Sequence, residues 1–131
     1  NDCNLVSEKN NIEFKWNSNF PVNSLNIMRG YISVGKDKQS DYLNCFFDAY
    51  WKDNQDLSNI ENISKLLNDL KIDNEEFFKS IKKQSVKDKL IKLTSDAFQK
   101  EIFGVPSFII NNKIFWGQDR LEYAIEEFNN N

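Results

Sequence analysis

Few side chains in this sequence can do chemistry by themselves. Histidine is absent, which removes the usual general base near neutral pH, the common metal ligand and every Ser-His-Asp or Cys-His arrangement. No metal site is expected. The two cysteines, Cys3 and Cys45, lie far apart and form no C-x-x-C. They read as a reduced pair, with a disulfide left open on sequence alone. The other groups of note, the Val105-Pro106 step, the Gln118-Asp119 pair and the aromatic residues Trp51 and Trp116, read from the residues alone as a turn, a helix start and core or cleft aromatics. Any reaction would draw its reactive group from a bound cofactor or a substrate thiol.

The elements around these groups are legible. Phe108-Ile109-Ile110 and Ile114-Phe115-Trp116 are β-branched and aromatic runs suited to paired strands. Asn111-Asn112 between them tolerates positive φ twice, which predicts a two-residue hairpin. Pro106 cannot donate to a ladder, so it sits at or just before the first strand position. Gln118-Asp119 opens a helix carrying Leu121, Tyr123, Ala124, Ile125 and Phe128. An acid there is favoured by the helix dipole, and the free N–H groups can equally receive a ligand carboxylate.

Upstream, Asp2 to Asn10 predicts a short helix, and Ile12-Glu13-Phe14-Lys15-Trp16 alternates like a half-buried strand. Asn17-Ser18-Asn19 reads as a loop, extended at Phe20-Pro21. Asn23 or Ser24 caps a helix bearing Leu25, Met28, Tyr31 and Ile32, closed by Gly35. Tyr42, Cys45, Phe46, Ala49 and Tyr50 form one helical stripe, which reads as core more readily than as pocket. Capping boxes at Ser58/Glu61 and Asp73/Glu76, and a start at Ser85/Asp88, predict three further helices. Gly104 is expected to help end the last of them.

Gly104-Val105-Pro106-Ser107-Phe108, followed by Phe115-Trp116-Gly117-Gln118-Asp119-Arg120-Leu121, resembles the C-terminal signature of the 2-hydroxychromene-2-carboxylate isomerases and their relatives, the kappa-class glutathione transferases. Phe20-Pro21-Val22-Asn23-Ser24-Leu25 and the helix with Phe46, Ala49 and Trp51 are similar to further landmarks, so the resemblance covers nearly the whole chain. It implies an α/β, thioredoxin-like fold of the DsbA type. Residues 1–131 would form one partial domain, with a helical insertion over about 23–101 and a closing hairpin and helix over 105–128. The family's opening strand–helix unit, which carries the residue facing the glutathione sulfur, has no counterpart here. The domain is therefore expected to be incomplete at its N-terminus, with Ile12–Trp16 and Ser107–Ile110 flanking the opening strand's slot.

The same resemblance implies that Val105-Pro106 is a cis-proline loop whose main chain pairs with glutathione. Gln118 and Asp119 would hold the γ-glutamyl end, Trp51 and Trp116 would line the substrate pocket, and Arg120 would be a structural ion-pair partner. No catalytic residue is assigned, and the 131 residues by themselves are expected to be inactive. The function implied is glutathione-dependent cis–trans isomerisation, or a related glutathione transfer, on a small aromatic or electrophilic substrate. A DsbA-type thiol–disulfide oxidoreductase and a non-catalytic interaction module are the alternatives. Trp116-Gly117-Gln118-Asp119 argues against the first.

Composition agrees with a single packed domain. The chain has 131 residues, 40% of them hydrophobic, with eleven Phe and three Trp. A net charge of −3 offers no basic face for nucleic acid. No apolar run is long enough for a membrane helix, and Asn1-Asp2-Cys3-Asn4 carries no leader pattern, so a cytoplasmic chain is expected. The start without Met fits a trimmed or partial chain. A homodimer stays open as the assembly.

Overall fold

The computed structural model describes residues 2–130. Its contacts divide the chain into two units, Asn1–Leu90 and Ile91–Asn131. Among the described residues, no helix is long and apolar enough to cross a membrane.

The first unit opens with α1 (Asp2–Lys9). Asn11 takes φ 54° after it, and the Ile12 N–H donates back to the Ser7 carbonyl at 2.9 Å, which ends the helix with a left-handed residue. Ile12 to Trp16 then runs without regular structure, not as the expected strand. Alternation makes a segment suited to a ladder, but a strand exists only against a partner. Here the Lys15 N–H donates to the Trp51 carbonyl at 2.6 Å, and Glu13 pairs with Lys52 at 3.0 Å. The segment is thereby fastened to the end of a helix.

Four helices follow: α2 (Leu25–Ser33), α3 (Gln39–Trp51), α4 (Ile60–Asp69) and α5 (Asn74–Ser80). Ser24 is the N-cap residue of α2 without a side-chain cap bond, while the Asn23 side chain just before it accepts from the Leu25 N–H at 3.1 Å. The helix ends on Val34 in extended conformation, so Gly35 does not close it. The cap of α4 is Asn59, which accepts from Glu61 N–H at 2.8 Å. The expected cap, Ser58, instead donates its hydroxyl to Asp56 at 2.6 Å. Asp73 caps α5 as predicted, accepting from Glu76 N–H at 2.7 Å.

The core of this unit joins Tyr42, Phe46, Ala49 and Tyr50 of α3 to Ile63, Leu66 and Leu67 of α4 and Phe77 of α5. Burying such side chains contributes about 1.5–3 kcal/mol each. Tyr42 and Phe46 stack at 4.2 Å between ring centroids. Gly30 brings α2 close, because a Cβ there would collide with the Tyr42 hydroxyl and the Phe77 ring.

α6 (Gln84–Gln99) begins one residue before the predicted Ser85 start, and Gln84 donates its amide to Asp88 at 2.8 Å. Just past its end, Glu101 takes φ 60° and Ile102 N–H donates to the Ala97 carbonyl at 3.1 Å. Gly104 therefore plays no part in stopping it.

In the second unit, β1 (Ser107–Ile110) and β2 (Lys113–Trp116) form an antiparallel hairpin in which Ser107 faces Trp116 and Ile110 faces Lys113. Asn111 and Asn112 turn it at φ 51° and 60°, the mirror-image turn that matches strand twist. One 3-10 turn, Gln118–Arg120, runs into α7 (Leu121–Asn129). Ala124 of α7 is fully buried, and Lys113 meets Glu127 of α7 at 2.7 Å.

Candidate functional site

The end of the hairpin gathers four of the predicted binding residues. The Gly117 N–H donates to the Pro106 carbonyl at 2.9 Å, one step beyond the Ser107–Trp116 pair. Val105-Pro106 and Gln118-Asp119 therefore leave the sheet side by side. The Val105–Pro106 peptide is cis. Val105 is 88% exposed, and its main chain makes no hydrogen bond among the described residues. A main chain left unpaired at the end of a ladder can pair with an extended peptide. Ser107 holds the loop from behind, its hydroxyl donating to the Gly104 carbonyl at 2.6 Å.

Trp116 leans on this loop. Its ring lies 4.9 Å from that of Phe103, and a side chain on Gly104 would strike its indole nitrogen. The indole keeps half its surface exposed. Gly117, at φ 102°, redirects the chain into the 3-10 turn, a conformation that favours glycine. The Asp119 carboxylate folds back towards that glycine. It lies 3.4 Å from the Arg120 guanidinium and stays largely exposed. Arg120 also sits 5.6 Å over the Tyr123 ring, in keeping with the structural role expected of it.

Trp51 belongs to the first unit and ends α3. It lines an apolar cleft of about 590 Å³ with Phe20, Met28, Phe46, Phe47 and Tyr50. Its ring is 5.7 Å from Phe14, 5.8 Å from Trp16 and 6.0 Å from Phe20, with Tyr50 edge-on at 4.7 Å. Leu43 and Phe47 of α3 also border the cleft and are about half exposed. Leu43, Phe47 and Trp51 make a second α3 stripe at i, i+4 and i+8 beside the core stripe, a signal present in the sequence and passed over. Phe46 and Tyr50 serve both core and cleft.

Two further residues were missed. Asn17, read as plain loop, is 1% exposed. Its amide donates to the carbonyls of Tyr50 at 2.8 Å and Gln55 at 2.9 Å, while its oxygen accepts from Asn19 N–H at 2.7 Å. It ties the Phe20 loop, whose Phe20–Pro21 peptide is also cis, to the end of α3. The second is the Tyr50 hydroxyl, which is buried without a hydrogen-bond partner among the described residues. Tyr42, by contrast, donates its hydroxyl to the Ile27 carbonyl at 3.0 Å, and burial pushes its ionisation above the ordinary range.

The cysteines do not form a redox pair; both are free. Burial pushes the Cys45 thiol up, helped by the carboxylates of Asp69, Asp48 and Asp53. A raised thiol is a poor nucleophile near neutral pH.

Comparison with known proteins gives these features a family. The model of the DsbA-like thioredoxin domain matches residues 1–128. The chain belongs to that family. A 2-hydroxychromene-2-carboxylate isomerase from Pseudomonas sp. (strain C18) is 27% identical over 92 residues, 70% of this chain and 43% of that protein. The solved structure of a 2-hydroxychromene-2-carboxylate isomerase superposes with a TM-score of 0.86 at 20% identity, covering 98% of this chain and 63% of the other. This DsbA-like chain thus shares the isomerase fold and spans under half the length of the curated relative it matches.

Proposed function

We propose that the chain works in glutathione-dependent cis–trans isomerisation of the 2-hydroxychromene-2-carboxylate isomerase type, or in the closely related glutathione transfer of the kappa class. The observation that carries this reading is the hairpin end, where the exposed, unpaired main chain of Val105 stands beside Gln118-Asp119. A curated relative named for that isomerase activity supports it. Val105 would pair with the tripeptide backbone, as an added strand does. N–H groups at the Gln118 turn would receive the γ-glutamyl carboxylate, and Asp119 its ammonium. Trp116, beside this loop, would offer a flat face to an aromatic substrate. Glutathione, when bound, supplies the nucleophilic thiol. The residues named here bind and orient; none is assigned to activating that thiol.

Thiol–disulfide exchange through this chain's own cysteines is not supported, since Cys3 and Cys45 are free and form no C-x-x-C, and burial pushes the Cys45 thiol up. Calorimetric titration tests the main reading. Glutathione and ophthalmate, its analogue with a methyl in place of the thiol, are each expected to give saturable heat, because the contacts are to the peptide. No heat from either ligand at millimolar concentration would sink the proposal.

A further inference from the structure

Ser107 and Trp116 face each other in the hairpin register, so their side chains lie on one face of the two strands. The loop before β1 is held against that face at Gly104, and it is held twice. The Ser107 hydroxyl donates to the Gly104 carbonyl at 2.6 Å. The Trp116 indole packs on Gly104 so closely that no Cβ would fit. The Gly104–Val105 peptide is trans, and a planar trans unit points its carbonyl and its N–H in opposite directions. With the carbonyl turned to Ser107, the Val105 N–H is turned away from it. That N–H belongs to an exposed residue whose main chain has no hydrogen-bond partner among the described residues.

We infer that Ser107 is a positioning residue for ligand capture: its hydroxyl fixes the Gly104–Val105 peptide plane and so aims the Val105 N–H at an incoming peptide. The inference rests on the proposed glutathione site and adds the group that orients its donor. Without the hydroxyl, the Gly104 carbonyl loses this partner. The plane can then rotate, because glycine on one side of it accepts a wide range of dihedrals. Binding would have to select one orientation among several, and that ordering is subtracted from affinity. Trp116 limits where the loop can lie, whereas the hydroxyl sets which way the carbonyl turns.

Two variants of the 131-residue chain test this. Ser107→Ala removes the hydroxyl, and Ser107→Thr keeps it on a residue suited to strands. In the ligand-free chain, the amide order parameter of Val105 from nuclear magnetic relaxation is expected near the rigid value of about 0.85. It should fall below about 0.6 in Ser107→Ala and hold in Ser107→Thr. Dispersed amide signals from Ile109 and Ile114 in both variants would show that the hairpin is intact. In calorimetric titration, glutathione should bind Ser107→Ala about tenfold more weakly than the parent, the worth of one net hydrogen bond. Ser107→Thr should bind like the parent. If Val105 stays ordered in Ser107→Ala, or loosens equally in Ser107→Thr, the inference is refuted whatever glutathione does. If the parent and Ser107→Ala bind glutathione equally, the inference is refuted while the glutathione site stands. If Val105 loosens as expected but no protein, the parent included, binds glutathione, the proposed function falls and the positioning role falls with it.

Discussion

The Asn17 side chain donates to the Tyr50 main-chain carbonyl at 2.8 Å, across thirty-three positions of sequence. This bond fastens the loop that carries Phe20 to the helix end that carries Trp51. The cleft wall therefore depends on one buried amide. Asn17→Ala would strand the Tyr50 and Gln55 carbonyls, and each stranded buried group costs about 1–3 kcal/mol. Chemical denaturation should show a loss of about 2–3 kcal/mol. Asn17→Asp should also destabilise, because a carboxylate cannot donate to either carbonyl. A variant as stable as the parent would mean that the loop holds without this amide.

Asp119 is exposed, with its neighbour Arg120 as ion-pair partner, so removing its carboxylate should leave the fold intact. Asp119→Ala is expected to weaken glutathione binding by about 1–3 kcal/mol, the range for a lost charge-assisted hydrogen bond. Titration of the two proteins side by side checks this. Equal affinities would return Asp119 to a helix-start role.

The two thiols should differ in reactivity. Cys3 is exposed, whereas Cys45 is partly buried and its ionisation is pushed up by burial and by Asp69, Asp48 and Asp53. A thiol-reactive dye near neutral pH should label one equivalent quickly and the second slowly. Mass mapping is expected to place the fast label on Cys3. Fast labelling of Cys45 would contradict the geometry.

Acid should loosen the hairpin from α7. Hydrogen bonds from Lys113 and Asn111 hold the Glu127 carboxyl below its ordinary value of 4.5. A depressed folded value means that the stabilisation is fully present above 4.5 and disappears as pH falls through the lowered value. Glu127→Gln should therefore lower the melting temperature near neutral pH, with an effect that shrinks as pH falls below 4.5 and through the lowered value. An effect that does not shrink would show that the carboxylate's charge is not what matters.

Short-range chemistry was enough for the sequence to determine several elements. Asn111-Asn112 tolerates two left-handed residues, so the hairpin turn and its register are local facts. Asp73 caps α5 because its acceptor lies within reach of Glu76 N–H, three residues on. Val105, Pro106, Gln118 and Asp119 meet because a two-residue turn folds their flanks together. Ile12 to Trp16 shows where local reasoning stops: alternation reports a face to bury, but only a neighbouring strand makes a ladder. Tertiary structure alone decided that Asn17 is buried, since its partners come from α3 and the residues just after it. It also decided that Tyr50 and Tyr42, both on the same helix, differ. The Ile27 carbonyl reaches one hydroxyl and nothing among the described residues reaches the other. A sequence specifies which groups need partners; the packing of distant elements decides which of them go without.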